Sequence, residues 1–239
     1  MTTLFISDLH LEDARPETTT LLRQFLRAEA PGADALYVLG DLFEAWVGDD
    51  DPSETGTLVA EGLRALSGAG TPVFFIHGNR DFLLGHEYAA RCGMRLLPDP
   101  SVIVLNDEPV LIGHGDQLCS DDLAYQQFRA MTRDPRWRAR FLSQPLSARL
   151  AFAEQARAAS KARYGELQAA GGAETITDVT PATVDATFAR HGLRRMIHGH
   201  THRPAIHEEG GRTRIVLGDW YARGSMLRVS RRGHELLTL

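Results

Sequence analysis

Leu4-Phe5-Ile6-Ser7-Asp8-Leu9-His10 is a short apolar run that stops at two metal-ligating residue types one position apart. Side chains at i and i+2 of a strand point to one side, so a buried strand here aims Asp8 and His10 at a single ion from the carboxyl edge of a sheet. A polar turn carries the same residue types, and this stretch alone leaves both readings open. The event recurs four more times. Leu36-Tyr37-Val38-Leu39-Gly40-Asp41, Val73-Phe74-Phe75-Ile76-His77-Gly78-Asn79, Val110-Leu111-Ile112-Gly113-His114 and Met196-Ile197-His198-Gly199-His200-Thr201-His202 are all apolar runs ending in ligand types. A glycine stands directly before Asp41, Asn79, His114 and His200, where it lets the backbone turn sharply and approach an ion. Five strand ends converging on one rim is the expected ligand-site geometry of an open α/β sheet.

The chain of 239 residues, 43% of them hydrophobic, can bury one large core. No apolar run reaches the ~18 residues of a membrane span, and Met1-Thr2-Thr3 leads straight into the first strand, so the expectation is a cytoplasmic protein. Cys92 and Cys119 form no C-x-x-C pair and read as buried thiols. A net charge of −5 argues against a nucleic-acid binder working through a global basic field. The distribution says more. Residues 123–168 carry eight arginines and Lys161 against Asp134, Glu154 and Glu166, so an acidic body bears one basic attachment suited to an anionic ligand or surface. Nothing in the sequence identifies a protein partner.

Helical spacing over Pro16–Ala30 and around Leu58–Leu66 alternates with the first strands, which predicts right-handed crossovers and a parallel sheet. The acidic run Asp49-Asp50-Asp51 reads as a solvated loop. Phe82–Cys92 reads as a shorter helix, Met94–Leu97 and Val102–Leu105 as strands. From Leu123 to Gln168 the strand pattern gives way to several helices, broken at Asp134-Pro135 and Gln144-Pro145. Pro181–Arg190 reads as a helix, and the end of the chain as hairpins turning near Gly210-Gly211 and Arg231-Arg232-Gly233.

The ordered set D-x-H, G-D, G-N, H-G and G-H-x-H, spanning residues 8 to 202, resembles the calcineurin-like metallophosphoesterases. That resemblance implies an α/β fold, a four-layer αββα sandwich forming a single domain over 1–239 with a helical lid inserted at about 122–168. It assigns Asp8, His10, Asp41 and His202 to one ion and Asp41, Asn79, His114 and His200 to a second, with the two oxygens of Asp41 shared between them. Carboxylate, imidazole and amide donors together suit divalent Mn, Fe, Co or Zn, manganese first, better than calcium. Two such ions ~3.5–4 Å apart activate a hydroxide and clamp phosphate oxygens, which makes the reaction hydrolysis at phosphorus. Arg80 adds a permanent bidentate charge as the transition state develops, so Asp41 and Arg80 are the expected catalytic residues.

Most of that superfamily has G-N-H, whereas this chain has Gly78-Asn79-Arg80-Asp81. With residues 40–50, 114–122 and 198–204, this departure closely resembles the UDP-2,3-diacylglucosamine hydrolase family. The resemblance implies cleavage of a pyrophosphate bond to give UMP and 2,3-diacylglucosamine 1-phosphate in lipid A biosynthesis. A hydroxide would attack the phosphorus next to uridine, on the cytoplasmic face of the inner membrane. Asn79, Arg80, Asp122, Ser160 and His200 match the family's substrate contacts. Where relatives carry asparagine and lysine in the insertion this chain has Tyr164 and Leu167, and Arg157 and Lys161 are expected to compensate. Lys161 is the only lysine among 26 basic residues. The insertion also offers apolar surface flanked by arginines for a two-chain lipid and an anionic membrane. His77, His198 and Asp116 stand beside ligands as candidate outer hydrogen-bond partners. Two rivals are a phosphodiesterase acting on no lipid and a silent scaffold. A scaffold is expected to have lost ligands, and all seven are present.

Overall fold

The computed structural model describes residues 2–239, the side chain of Glu174 excepted. In chain order its elements are β1 (Thr2–Ile6), α1 (Pro16–Ala28), β2 (Ala35–Val38), α2 (Glu54–Gly68), β3 (Val73–Ile76), α3 (His86–Cys92), β4 (Met94–Leu97), β5 (Ser101–Leu105), β6 (Glu108–Ile112), α4 (Leu123–Arg133), α5 (Pro135–Leu142), α6 (Leu146–Ala169), α7 (Ala173–Ile176), α8 (Pro181–His191), β7 (Arg195–His198), β8 (Ala205–Glu209), β9 (Arg212–Val216), β10 (Ser225–Ser230) and β11 (Gly233–Thr238). One sheet has the order β11-β10-β1-β2-β3-β4, the other β5-β6-β7-β9-β8. Strands β1 to β4 are mutually parallel, as are β6, β7 and β9, and residues that follow β1 and β2 meet residues that follow β6 and β7, so both sets end on a common side.

The two-residue period of each strand makes the layers. Phe5, Leu39 and Ile76 face inward and meet Ile112, Ile197 and Leu217 of the second sheet. Their neighbours Leu4, Ile6, Leu36, Val38 and Phe75 face outward against Leu22, Phe25, Leu63 and Leu66 of α1 and α2. On the far side Leu111 and Met196 pack against Phe188 of α8. The sandwich is therefore helix, sheet, sheet, helix, as the resemblance implied.

Helices α4 to α6 lie over the ends of the strands. Pro135 occupies the first turn of α5, with the Asp134 carboxylate accepting from the amides of Arg136 and Trp137, and Pro145 precedes α6, which accounts for the breaks read in the sequence. Trp137, Phe141 and Phe152 cluster with Phe82 of the body. Arg149 is 2% exposed and pairs with Asp50, donating also to the carbonyls of Val47 (2.7 Å) and Gln144 (3.0 Å).

The acidic loop is thus not simply solvated. Asp50 pins α6, and Asp49 accepts from Trp46 Nε1 (3.0 Å) and from the amides of Gly85 (2.8 Å) and Tyr88 (2.9 Å). That capping sets the start of α3 at His86 rather than at Phe82, where the hydrophobic spacing begins. Among the described residues no helix is long and apolar enough to cross a membrane.

Candidate metal centre

All seven expected ligands lie in the loops that leave β1, β2, β3, β6 and β7, and the parallel strands bring these loops to one rim. The backbone carrying them is not a continued strand. Asp8, His10, Asp41, His200 and His202 have φ between 51° and 71°, and apart from Asn106 and Asp107 in the β5–β6 turn they are the described non-glycine residues with positive φ. Asp8 and His10 share a site because two left-handed turns reel the chain inward, not because extended residues alternate. A Cβ at Gly78 would fall on the Asp41 carboxylate and amide, and one at Gly199 on Asp8 and Ser7, so the glycines before ligands are required by close approach.

The ligand atoms form two groups, Asp8 with His10 and His202, and Asp41 with His114 and His200, each within 4.8 Å. His10 Nε2 is 3.2 Å from His202 Nε2, and His202 Nε2 is 3.4 Å from Asp8 Oδ1. In the second group His114 Nε2 and His200 Nδ1 are 3.2 Å apart, with Asn79 Oδ1 at 2.9 and 2.8 Å from them. Asp41 Oδ2 lies 3.8 Å from His10 Nε2 and 3.7 Å from His114 Nε2, between the groups. Ring nitrogens face one another, and Asp8 Oδ1 is buried without a hydrogen-bond partner. Such a donor set fits a pair of divalent cations. Burial alone would lower the pKa of His114, but Asp41, Asp8 and Asp116 outweigh it and raise it to about 9. Burial, reinforced by His114, lowers that of His200 to about 4. The carboxylates around His114 therefore favour positive charge at that point of the rim, while His200 beside it stays neutral.

Several supports were not legible in the sequence. The Asp81 carboxylate accepts from the amides of Gly78 (2.8 Å), Leu42 (2.7 Å) and Asp41 (3.3 Å), tying two ligand loops together. Burial and the neighbouring Asp41 raise its pKa to about 6. His114 Nδ1 meets the Leu39 carbonyl at 2.9 Å, leaving Nε2 for the site. Tyr221 stacks on His10 at 5.1 Å, and Tyr125 lies 5.9 Å from the His200 ring while donating to Asp116. Glu44 reaches His10, Arg80 and Arg157. Asp81 and Glu44 stand inside the quoted motifs, but nothing in the sequence singles out the two tyrosines. Of the candidate outer partners, His77 meets the Leu84 carbonyl and His198 meets the Gly199 carbonyl and Arg214, so neither orients a ligand ring. Asp116 instead collects Tyr125, Arg129 and Arg133 from α4.

Beside the rim opens a cavity of about 560 Å³ lined by Asn79, Arg80, Asp122, Arg157 and Ser160 and walled by Phe82, Phe128, Met131, Phe141 and Phe152. Lys161 is exposed and does not line it. Arg163 does, paired with Asp122 at 2.9 Å. The lining positions of α6 are 152, 153, 155, 156, 157, 159, 160 and 163, a broad face of the helix from which Lys161 is absent.

Residues 1–204 match the calcineurin-like phosphoesterase family. A Stenotrophomonas maltophilia (strain K279a) protein named UDP-2,3-diacylglucosamine hydrolase is 64% identical over 245 residues, covering 100% of this chain and 99% of the relative. A Xanthomonas campestris pv. campestris (strain B100) protein of the same name is 64% identical over 242 residues, covering 99% of this chain and 98% of the relative. Among solved structures, one described as a novel archaeal phosphodiesterase aligns with a TM-score of 0.51 at 12% identity over 100% of both chains, a likeness of fold alone. The chain belongs to the calcineurin-like phosphoesterases and, within them, to the family of the UDP-2,3-diacylglucosamine hydrolases.

Proposed function

We infer that the chain hydrolyses the pyrophosphate bond of UDP-2,3-diacylglucosamine, releasing UMP and 2,3-diacylglucosamine 1-phosphate. The observation carrying this reading is that a rim gathering six carboxylate and imidazole groups with the Asn79 amide adjoins a cavity walled by aromatic residues, in a chain 64% identical throughout to proteins named for that substrate. Two divalent ions, manganese first among the candidates, would supply an activated water and a clamp for the phosphate oxygens. Asp8, His10, Asp41 and His202 would hold one, and Asp41, Asn79, His114 and His200 the other.

The chain's own groups do the rest. Arg80 and Arg157 both line the cavity beside the rim, and their guanidiniums suit the non-bridging oxygens of a diphosphate. The Arg80 amide donates to Asp41 Oδ1 at 2.8 Å, so Arg80 is held to the ligand it works beside. Asp122, Ser160 and Arg163 also line the cavity and offer polar groups to the head group. Phe128, Met131, Phe141 and Phe152 offer apolar surface to acyl chains and exclude water from the reacting phosphorus. The stretch 122–168 is on this reading a lid on a single domain. Its arginines and exposed Leu123, Met131, Leu142 and Leu150 suit the anionic cytoplasmic face of an inner membrane.

The test is turnover of UDP-2,3-diacylglucosamine by the manganese-loaded protein in oxygen-18 water. Attack at the phosphorus next to uridine puts the label in UMP. Label in the lipid phosphate reverses the direction of attack, and turnover of bis(p-nitrophenyl) phosphate without turnover of the lipid would favour a phosphodiesterase of another specificity.

A further inference from the structure

One carboxylate stands between the metal ligands and the helices over the cavity. Glu44 is 8% exposed, with Oε2 2.9 Å from His10 Nδ1 and Oε1 3.2 Å from Arg157 Nε and 3.7 Å from Arg80 Nη1. It is the anion that both arginines share.

His10 turns Nε2 into the ligand group, so Nδ1 is the nitrogen left for an outer partner. At 2.9 Å its approach to Glu44 misses the alignment of a hydrogen bond, and both His10 Nδ1 and Glu44 Oε2 are buried with no hydrogen bond to any other group. Engagement of Nε2 by a bound cation would remove this ambiguity. With Nε2 so engaged, the ring proton of His10 would sit on Nδ1, where the remaining acceptor is Glu44. The opposite face of the ring leads to the same helix. Tyr221 stacks on His10, Arg15 lies over Tyr221 at 4.9 Å, Glu12 pairs with Arg15 at 2.7 Å, and the other oxygen of Glu12 is 3.7 Å from Arg157.

Arg149 pins only the beginning of α6. Arg157 lies eight residues on, about 12 Å along the axis, and beyond it the ion pair made by α6 is Arg163–Asp122, which ties the helix to the start of the insertion rather than to the body. We propose that Glu44 is a positioning residue through which occupancy of the His10 metal site fixes the distal half of α6, so that the lid settles over a loaded centre and stays loose over an empty one. A loaded centre would then hold Arg157 Nε inward on Glu44 and leave the outer edge of its guanidinium for a substrate phosphate. The proposal rests on the metal reading and is independent of which phosphoester is the substrate.

Amide hydrogen exchange of the full chain with and without Mn(II) tests it. In the wild type, metal is expected to slow exchange about tenfold both in the loops bearing Asp8, Asp41 and His114 and in residues 153–163 of α6. Glu44→Gln keeps the shape and removes the charge, and should retain the slowing in the loops while losing it in α6. Arg157→Ala, a half-exposed change that leaves the ligands intact, should lose the α6 slowing at unchanged metal content, and decides the matter alone if Glu44→Gln does not fold. Slowing of α6 by metal in Arg157→Ala equal to that in the wild type, or slowing confined to the loops in the wild type, overturns the proposal. No slowing anywhere overturns the metal reading itself.

Discussion

Asp41 Oδ2 sits nearly midway between His10 Nε2 and His114 Nε2, while Oδ1 accepts the Arg80 amide. Removing that side chain takes a ligand from both groups at once, so Asp41→Ala is expected to lose both ions by metal analysis and all activity. Arg80→Ala deletes a charge and no ligand, and should keep both ions while kcat/KM falls by roughly a hundredfold. Loss of metal from the Arg80 variant would reassign it to a structural role. The candidate ligands were legible as a set because each is a polar residue following an apolar run, a pattern that spacing encodes. Asp81 was less so, because its work is done on the amides of Leu42 and Asp41, 39 and 40 residues away. Composition drew attention to Lys161, but its side chain is exposed and lies outside the cavity lining. Lys161→Ala is accordingly expected to leave KM for the lipid within about twofold, and Arg157→Ala to raise it about tenfold, in parallel steady-state assays.

The pin on α6 is asymmetric. Arg149 is buried, while the side chain of Asp50 is 63% exposed. Asp50→Ala strands a guanidinium in the interior, whereas Arg149→Met leaves a carboxylate free to take up water and puts an apolar stem in its place. The first change should cost on the order of 2 kcal/mol, less than a fully buried pair because solvent already screens Asp50, and the second less than the first. Thermal melts of the two variants rank them, and a larger loss in Arg149→Met would contradict the argument. The Arg149 hydrogen bond is the main cause holding the Asp50 pKa below its ordinary value. The contribution is therefore complete at neutral pH and disappears only as acid protonates the carboxylate below about pH 4. This latch hid in the sequence because Arg149 is 99 residues from Asp50, and three adjacent aspartates look the same whether water or a distant helix receives them. The proline breaks around α5 were legible because they act within a turn of where they are written.

Across the molecule, residues 123–168 carry a net charge of +6 and the rest of the chain −11. Reversible binding to anionic vesicles that weakens as salt rises is the expected result in a flotation assay, since exposed charges are screened beyond ~8 Å at physiological ionic strength. Equal binding to neutral vesicles would remove the electrostatic part of that expectation. The strand-and-helix alternation was readable along the chain, but periodicity does not say which strands share a sheet, since that depends on pairings between distant segments such as β6 with β7. Nor does it show that five ligands occupy left-handed backbone. Such residues cost of order 1–3 kcal/mol each, with Asp and His toward the mild end, so the strain held at the rim rivals the net stability of an ordinary domain. Activity and durability then pull in opposite directions along one stretch of backbone. His202→Gly should abolish turnover yet leave the Tm of the metal-free protein unlowered, or raised by up to about 3 °C. A search for hardier variants, if it ignored activity, would begin by erasing the residues that make the molecule an enzyme.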